Sequence, residues 1–101
     1  MAKKSKIAKN EQRKRIVAKY APRRRELLAT LKDPSASWDD KRAVRRELER
    51  MPRDASPTRV RSRGGTTGRP RGVLTQFELD RIAFRRKALN GELPGIRKAS
   101  W

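Results

Sequence analysis

Residues 67–101 read TGRPRGVLTQFELDRIAFRRKALNGELPGIRKASW. Within that segment and just ahead of it, four positions keep the spacing of a small zinc knuckle: Gly64, Thr67, Asp80 and Ala83. Two residues separate the first pair, twelve separate the pairs, and two separate the second pair. Four cysteines so spaced make a tetrahedral zinc site. The chain has no Cys and no His, and one carboxylate at Asp80 does not hold zinc. The spacing therefore describes the frame of a metal-stapled module without its metal. A last helix is predicted from Leu79 to Asn90, with Leu79, Ile82, Ala83 and Leu89 facing inward. Asn90-Gly91 is a stop signal and Leu93-Pro94-Gly95 a turn. Phe77 and Phe84 are read as the small core that stands in for a metal staple.

Upstream, residues 52–75 change character. Pro52, Pro57, Gly64, Gly65, Gly68 and Pro70 break regular structure, so this segment is read as an extended basic arm. Arg59, Arg61 and Arg63 alternate, which in an extended chain puts three guanidiniums on one side. From Arg59 to Arg71 there are five arginines and no acidic residue. A solvated linker usually mixes its charges. An unmixed run of planar forks matches phosphate oxygens, and glycines let the backbone come close.

Residues 1–51 form a helical N-terminal extension. Its first twenty residues carry eight Lys or Arg and one acid, Glu11, with Ile16, Val17 and Tyr20 at helical spacing. Pro22 suits the first turn of a second helix, striped by Leu27, Leu28 and Leu31 and ended by Asp33-Pro34. Ser37 is placed to cap a third helix, with Asp39 and Asp40 in its positive first turn. Ala43, Val44, Leu48 and Met51 line one face of it, arginines 42, 45, 46 and 50 take the others, and Pro52 stops it. A short loop makes the second and third helices an antiparallel hairpin, with Trp38 covering it. The fold class is mostly α: helical extension and hairpin (1–51), basic arm (52–75) and a compact C-terminal module (76–101), working as one functional unit.

Composition limits what such a chain does alone. It has 101 residues, a formal net charge of +18 and 34% hydrophobic residues. Length supports one domain at most. At this size apolar burial and chain entropy cancel to within roughly a few kcal/mol without a staple. Twenty-nine cations against eleven anions add self-repulsion. The free chain is expected to be loosely helical, with a polyanion completing the fold. No run approaches the length of a membrane span, and the N-terminal residues lack the apolar core of a secretory signal. The cytosol is the expected compartment.

No catalytic constellation is present, so no enzyme, no small-molecule substrate and no cofactor are expected. The carboxylates lie among arginines, where local pairing accounts for them, as for Glu47 beside Arg46 or Arg50. Arg81 and Arg85 form an i,i+4 pair next to Arg86 and Lys87. That pair suits either a solvated flank or shape-based contact with folded RNA. Trp101, behind Arg97 and Lys98, is placed to stack on a base or plug a pocket.

The ordered series Gly68-Arg69-Pro70, Phe77-Glu78-Leu79, Arg81-Ile82-Ala83-Phe84-Arg85, Gly91-Glu92-Leu93-Pro94-Gly95 and Lys98-Ala99-Ser100-Trp101 resembles the small-subunit ribosomal protein S-fourteen family. Short members carry cysteines at the four knuckle positions. Long members have lost them and carry a helical N-terminal half, with a junction like Pro52-Arg53-Asp54-Ala55-Ser56-Pro57. This chain looks like the long, zinc-free form. Glu78 departs from the pattern, standing where members commonly have Gly, so the turn there is expected to differ. The resemblance implies a zinc-ribbon-like module without zinc, and a structural role on 16S rRNA in the head of the small subunit, near the decoding region. It also implies a role in assembly and neighbours among small-subunit proteins three, ten and nineteen. The rRNA contacts expected are Arg53, Arg59, Arg61, Arg63, Arg69, Arg71, Arg81, Arg85, Arg97, Lys98 and Trp101, with Lys3, Lys4, Lys6, Arg13 and Arg15 at the N-terminal end. A DNA-condensing nucleoid-type protein is the alternative; it explains the charge but not the series, and the basic repeats it calls for are absent.

Overall fold

The computed structural model describes residues 2–101. The chain is mostly helical, with one small sheet: α1 (Lys4–Lys32), α2 (Trp38–Arg50), two 3-10 turns (Arg53–Ala55 and Pro57–Arg59), β1 (Val73–Leu74), β2 (Leu79–Asp80) and α3 (Arg81–Leu89). It divides into two compact units. One is Lys9–Val60; the other joins Arg61–Trp101 to the N-terminal segment through Ala8.

In the unit Lys9–Val60 the expected break at Pro22 does not occur. Pro22 lies inside α1, so the extension and the first arm of the hairpin are one helix. A proline there removes a hydrogen bond and crowds the preceding turn, at roughly 3 kcal/mol. Contacts on both sides offset this. Before it, Lys9 and Arg13 reach Asp54, at 3.1 and 3.2 Å. After it, Leu27 is buried and the Arg23 guanidinium donates to both oxygens of Glu47, at 2.7 and 2.8 Å. Glu47 thus pairs across to α1 rather than with Arg46 or Arg50 on its own helix. Arg23 and Glu47 lie equally far from the loop between α1 and α2, so the two helices run back along one another.

Ser37 caps α2 as its sequence requires: its Oγ accepts from the Asp40 N–H at 3.2 Å. Val44 is buried, and Leu48 and Met51 are half-buried. Ala43 and Leu28 face out, so the seam is narrower than the apolar pattern suggests. Trp38 is 65% exposed and does not cover the hairpin. At the start of the arm the chain is coiled, not extended. The two 3-10 turns bury Ala55, and Arg59 sits in the second turn with its Nη1 3.3 Å from Asp54.

In the other unit β1 and β2 pair antiparallel, Val73 opposite Asp80 and Leu74 opposite Leu79. These two residue pairs take Leu79 and Asp80 out of the expected helix, and α3 begins at Arg81. The connection contains Glu78 at φ 54°, in the left-handed region that glycine adopts freely. The glutamate that stands in place of the family's common glycine thus occupies a glycine-type backbone conformation. Phe77 and Phe84 meet with ring centroids 4.9 Å apart, as expected of the small core. Leu79 and Ala83 are buried beside them, whereas Ile82 and Leu89 are 52% and 62% exposed rather than inward. A helix of nine residues presents one narrow face to so small a core. It ends in a Schellman motif: Gly91 at φ 75°, its N–H on the Ala88 carbonyl and the Glu92 N–H on that of Lys87.

The N-terminal segment belongs to the same unit. The first turn of α1 carries Lys4 and Lys6 and no acid, against the preference of a helix N-terminus. It is held by packing instead. The Ala2 N–H donates to the Thr67 carbonyl at 3.4 Å, and Ile7 lies against Gly68 so closely that a Cβ there would sit 2.5 Å from Ile7 Cδ1.

Candidate nucleic-acid interface

The four knuckle-spaced positions converge. Asp80 is 1% exposed and lies at their centre. Its Oδ1 accepts from the Thr67 hydroxyl at 2.8 Å; its Oδ2 accepts from the N–H groups of Ile82 and Ala83, at 3.2 and 3.3 Å. Gly64 closes the fourth side, where a Cβ would come within 2.9 Å of Oδ1. The Thr67 hydroxyl holds the carboxyl below the usual carboxylate range, against the effect of burial and aided by backbone N–H groups. One side chain thus links the loop at 64–67 to the N-terminus of α3. Among the described residues no group of three or more His, Cys, Asp or Glu is arranged to hold a metal ion.

On this frame the arginines are held in place. Arg61 Nε donates to the Pro70 carbonyl at 2.9 Å, and Arg63 Nη1 donates to that of Gly68 at 2.9 Å. Two residues apart in the chain, they reach carbonyls that are also two residues apart. Arg59 does not continue the row: it belongs to the unit Lys9–Val60, where it shares Asp54 with Lys9 and Arg13. Asp54 is a hub that the sequence reading missed; the signal was a lone acid in an otherwise basic junction. Its three cations, Lys9 first, hold its carboxyl below the usual range.

Arg63, Arg69 and Arg71 line one open basin together with Lys6, Ala2 and Pro70. Arg69 Nε donates to the Arg71 carbonyl at 3.2 Å. Arg81 folds its aliphatic stem over Gly72. Arg85, Arg97 and Lys98 border a second groove, floored by Phe84, Ala88, Leu89 and Ile96. Lys3, Lys4, Arg15 and Arg53 are exposed and join neither group, and Trp101 is fully exposed.

Arginines anchored on main-chain carbonyls above a small core are the electrostatic footprint of a polyanion-binding class of protein. Comparison with known proteins narrows that class. Residues 47–100 match the family model for ribosomal protein S14p/S29e. Over all 101 residues of both chains, the sequence is 57% identical to small ribosomal subunit protein uS14 of Corynebacterium diphtheriae. Over the same full length it is 59% identical to uS14A of Streptomyces coelicolor and 55% identical to uS14A of Myxococcus xanthus. The chain belongs to the ribosomal protein S14p/S29e family.

Proposed function

We propose that this protein is a structural, non-enzymatic constituent of the small ribosomal subunit that binds rRNA and supports translation. The observation that carries this reading is identity above one half, over the full length of both chains, with relatives named as small-subunit proteins. It acts in the cytoplasm, within the ribosome, beside other ribosomal proteins. Among the described residues no helix is long and apolar enough to cross a membrane.

The C-terminal module is a zinc-ribbon-like unit whose metal position is taken by Asp80 and its three hydrogen bonds. The chain works as a helical extension (1–51), an arm (52–75) and a module (76–101), lying in the head of the subunit near the decoding region. Its neighbours there are small-subunit proteins three, ten and nineteen. The rRNA contacts run from Arg53, Arg59, Arg61 and Arg63 through Arg69, Arg71, Arg81 and Arg85 to Arg97, Lys98 and Trp101. Lys3, Lys4, Lys6, Arg13 and Arg15 contribute at the other end. The fixed guanidinium forks of Arg61, Arg63 and Arg69 support this assignment, because a preset fork loses less freedom on meeting a phosphate.

Co-sedimentation tests it. The protein should stay with small subunits through high-salt washing and crosslink to rRNA. Release by salt together with recovery on DNA would overturn the reading in favour of a DNA-condensing protein.

A further inference from the structure

We propose that Lys6, Arg63, Arg69 and Arg71 form one preformed seat for a single RNA backbone phosphate, built from both ends of the chain. The inference rests on the reading of the protein as an rRNA-binding component. Its basis is how the cations are held. Several cations elsewhere meet carboxylates: Arg23 meets Glu26 and Glu47; Lys9, Arg13 and Arg59 meet Asp54; Lys87 meets Glu92. In the basin the pattern reverses. Four of the six lining residues are cationic and none is acidic. Arg63 and Arg69 are anchored on the carbonyls of Gly68 and Arg71. A carbonyl fixes a guanidinium without neutralising it. Arg63 Nε is moreover buried with no hydrogen-bond acceptor among the described residues. Fixed, unneutralised forks around one opening suit one tetrahedral anion with in-plane acceptors.

The N-terminal segment completes the seat. Lys6 reaches it because Ala2 is tied to Thr67 and Ile7 packs on Gly68. The basin, about 480 Å³, is roomier than a bare phosphate and takes one with its ribose. Cations that share one phosphate release one phosphate's worth of counterions, whatever their number.

The test is equilibrium binding of the full chain to small-subunit rRNA across salt, for Lys6→Ala, Arg71→Ala, Arg63→Gln and their combinations. Each neutralised phosphate contributes about 0.7 to 0.9 to the slope of log K against log salt. A single seat predicts that the slope flattens by no more than about one however many of these cations are removed, with the single variants flattening it less than the triple. A flattening that grows to about three in the triple variant would mean separate contacts and overturn the proposal. An unchanged slope in the triple variant would overturn it too, and inorganic phosphate that then saturates the basin would make it a site for a free anion. Failure of the unaltered chain to bind rRNA at all would instead strike the functional reading. Arg63 also holds the Gly68 loop, so Lys6→Ala with Arg71→Ala carries the test if Arg63→Gln does not fold.

Discussion

Glu78 and Asp80 show what single residues decide. A side chain at φ 54° costs roughly 1 kcal/mol, and glycine's looser unfolded chain returns part of that. Glu78→Gly should therefore stabilise the fold by a few tenths to about 1 kcal/mol, read as a higher midpoint of thermal unfolding by circular dichroism with a stabilising osmolyte. Asp80→Ala removes a helix cap and strands the Thr67 hydroxyl, at about 1 to 3 kcal/mol by the same assay. Gly64→Ala, whose Cβ would meet Asp80 Oδ1 at 2.9 Å, should cost a similar amount alone. In the double variant the two losses should add to less than their sum, because the truncated residue 80 leaves room for the methyl group; full additivity would show that the two do not share a site. The convergence of Gly64, Thr67, Asp80 and Ala83 was legible from spacing alone. That Asp80 would serve as both cap and centre was not, since one residue's periodicity says nothing about which backbone N–H groups will face it.

At the level of elements, Pro22 lies inside α1 although its local signal predicts a helix boundary. The rule that proline ends a helix holds when nothing beyond the proline rewards continuing. Here Arg23, Leu27 and Asp54 lie in one packed unit, and packing prevails over propensity. Pro22→Ala should then increase helical ellipticity and stability by up to about 3 kcal/mol, and a loss would mean that the proline shapes the helix. The start of α2 and the end of α3 were legible, because Ser37, Asn90 and Gly91 act through their own neighbours. The exposed Ile82 and Leu89 were not, because the number of apolar side chains a core accepts depends on its size. Acid should loosen the element contacts. Asp54 and Glu47 are held below their usual range by Lys9 and Arg23, and Asp80 by Thr67. A depressed folded value gives stability that is present at neutral pH and is lost as pH falls from about 4 through the lowered values. The helical signal should fall over that window, with a smaller fall in Asp54→Asn; a flat profile in the unaltered protein would show that these pairs contribute little.

For the molecule as a whole, a charge of +18 on a chain with five buried apolar residues among those described argues for a fold completed by its partner. The isolated protein should be weakly helical and gain ellipticity on addition of small-subunit rRNA; a cooperative, fully folded free chain would contradict this. Metal analysis of the purified protein should find no stoichiometric zinc. The partner class was legible from charge, but the union of the N-terminal residues with the C-terminal module was not, because contacts across some sixty residues leave no local pattern. That union has a consequence for synthesis. Ile7 leaves the translating machinery long before Gly68, and at about 5 to 20 residues per second the interval is several seconds. During it the first turn of α1, with its lysines, has no mate and is open to proteases and stray polyanions. Closure of that first turn on the module therefore waits for the chain's own distal half.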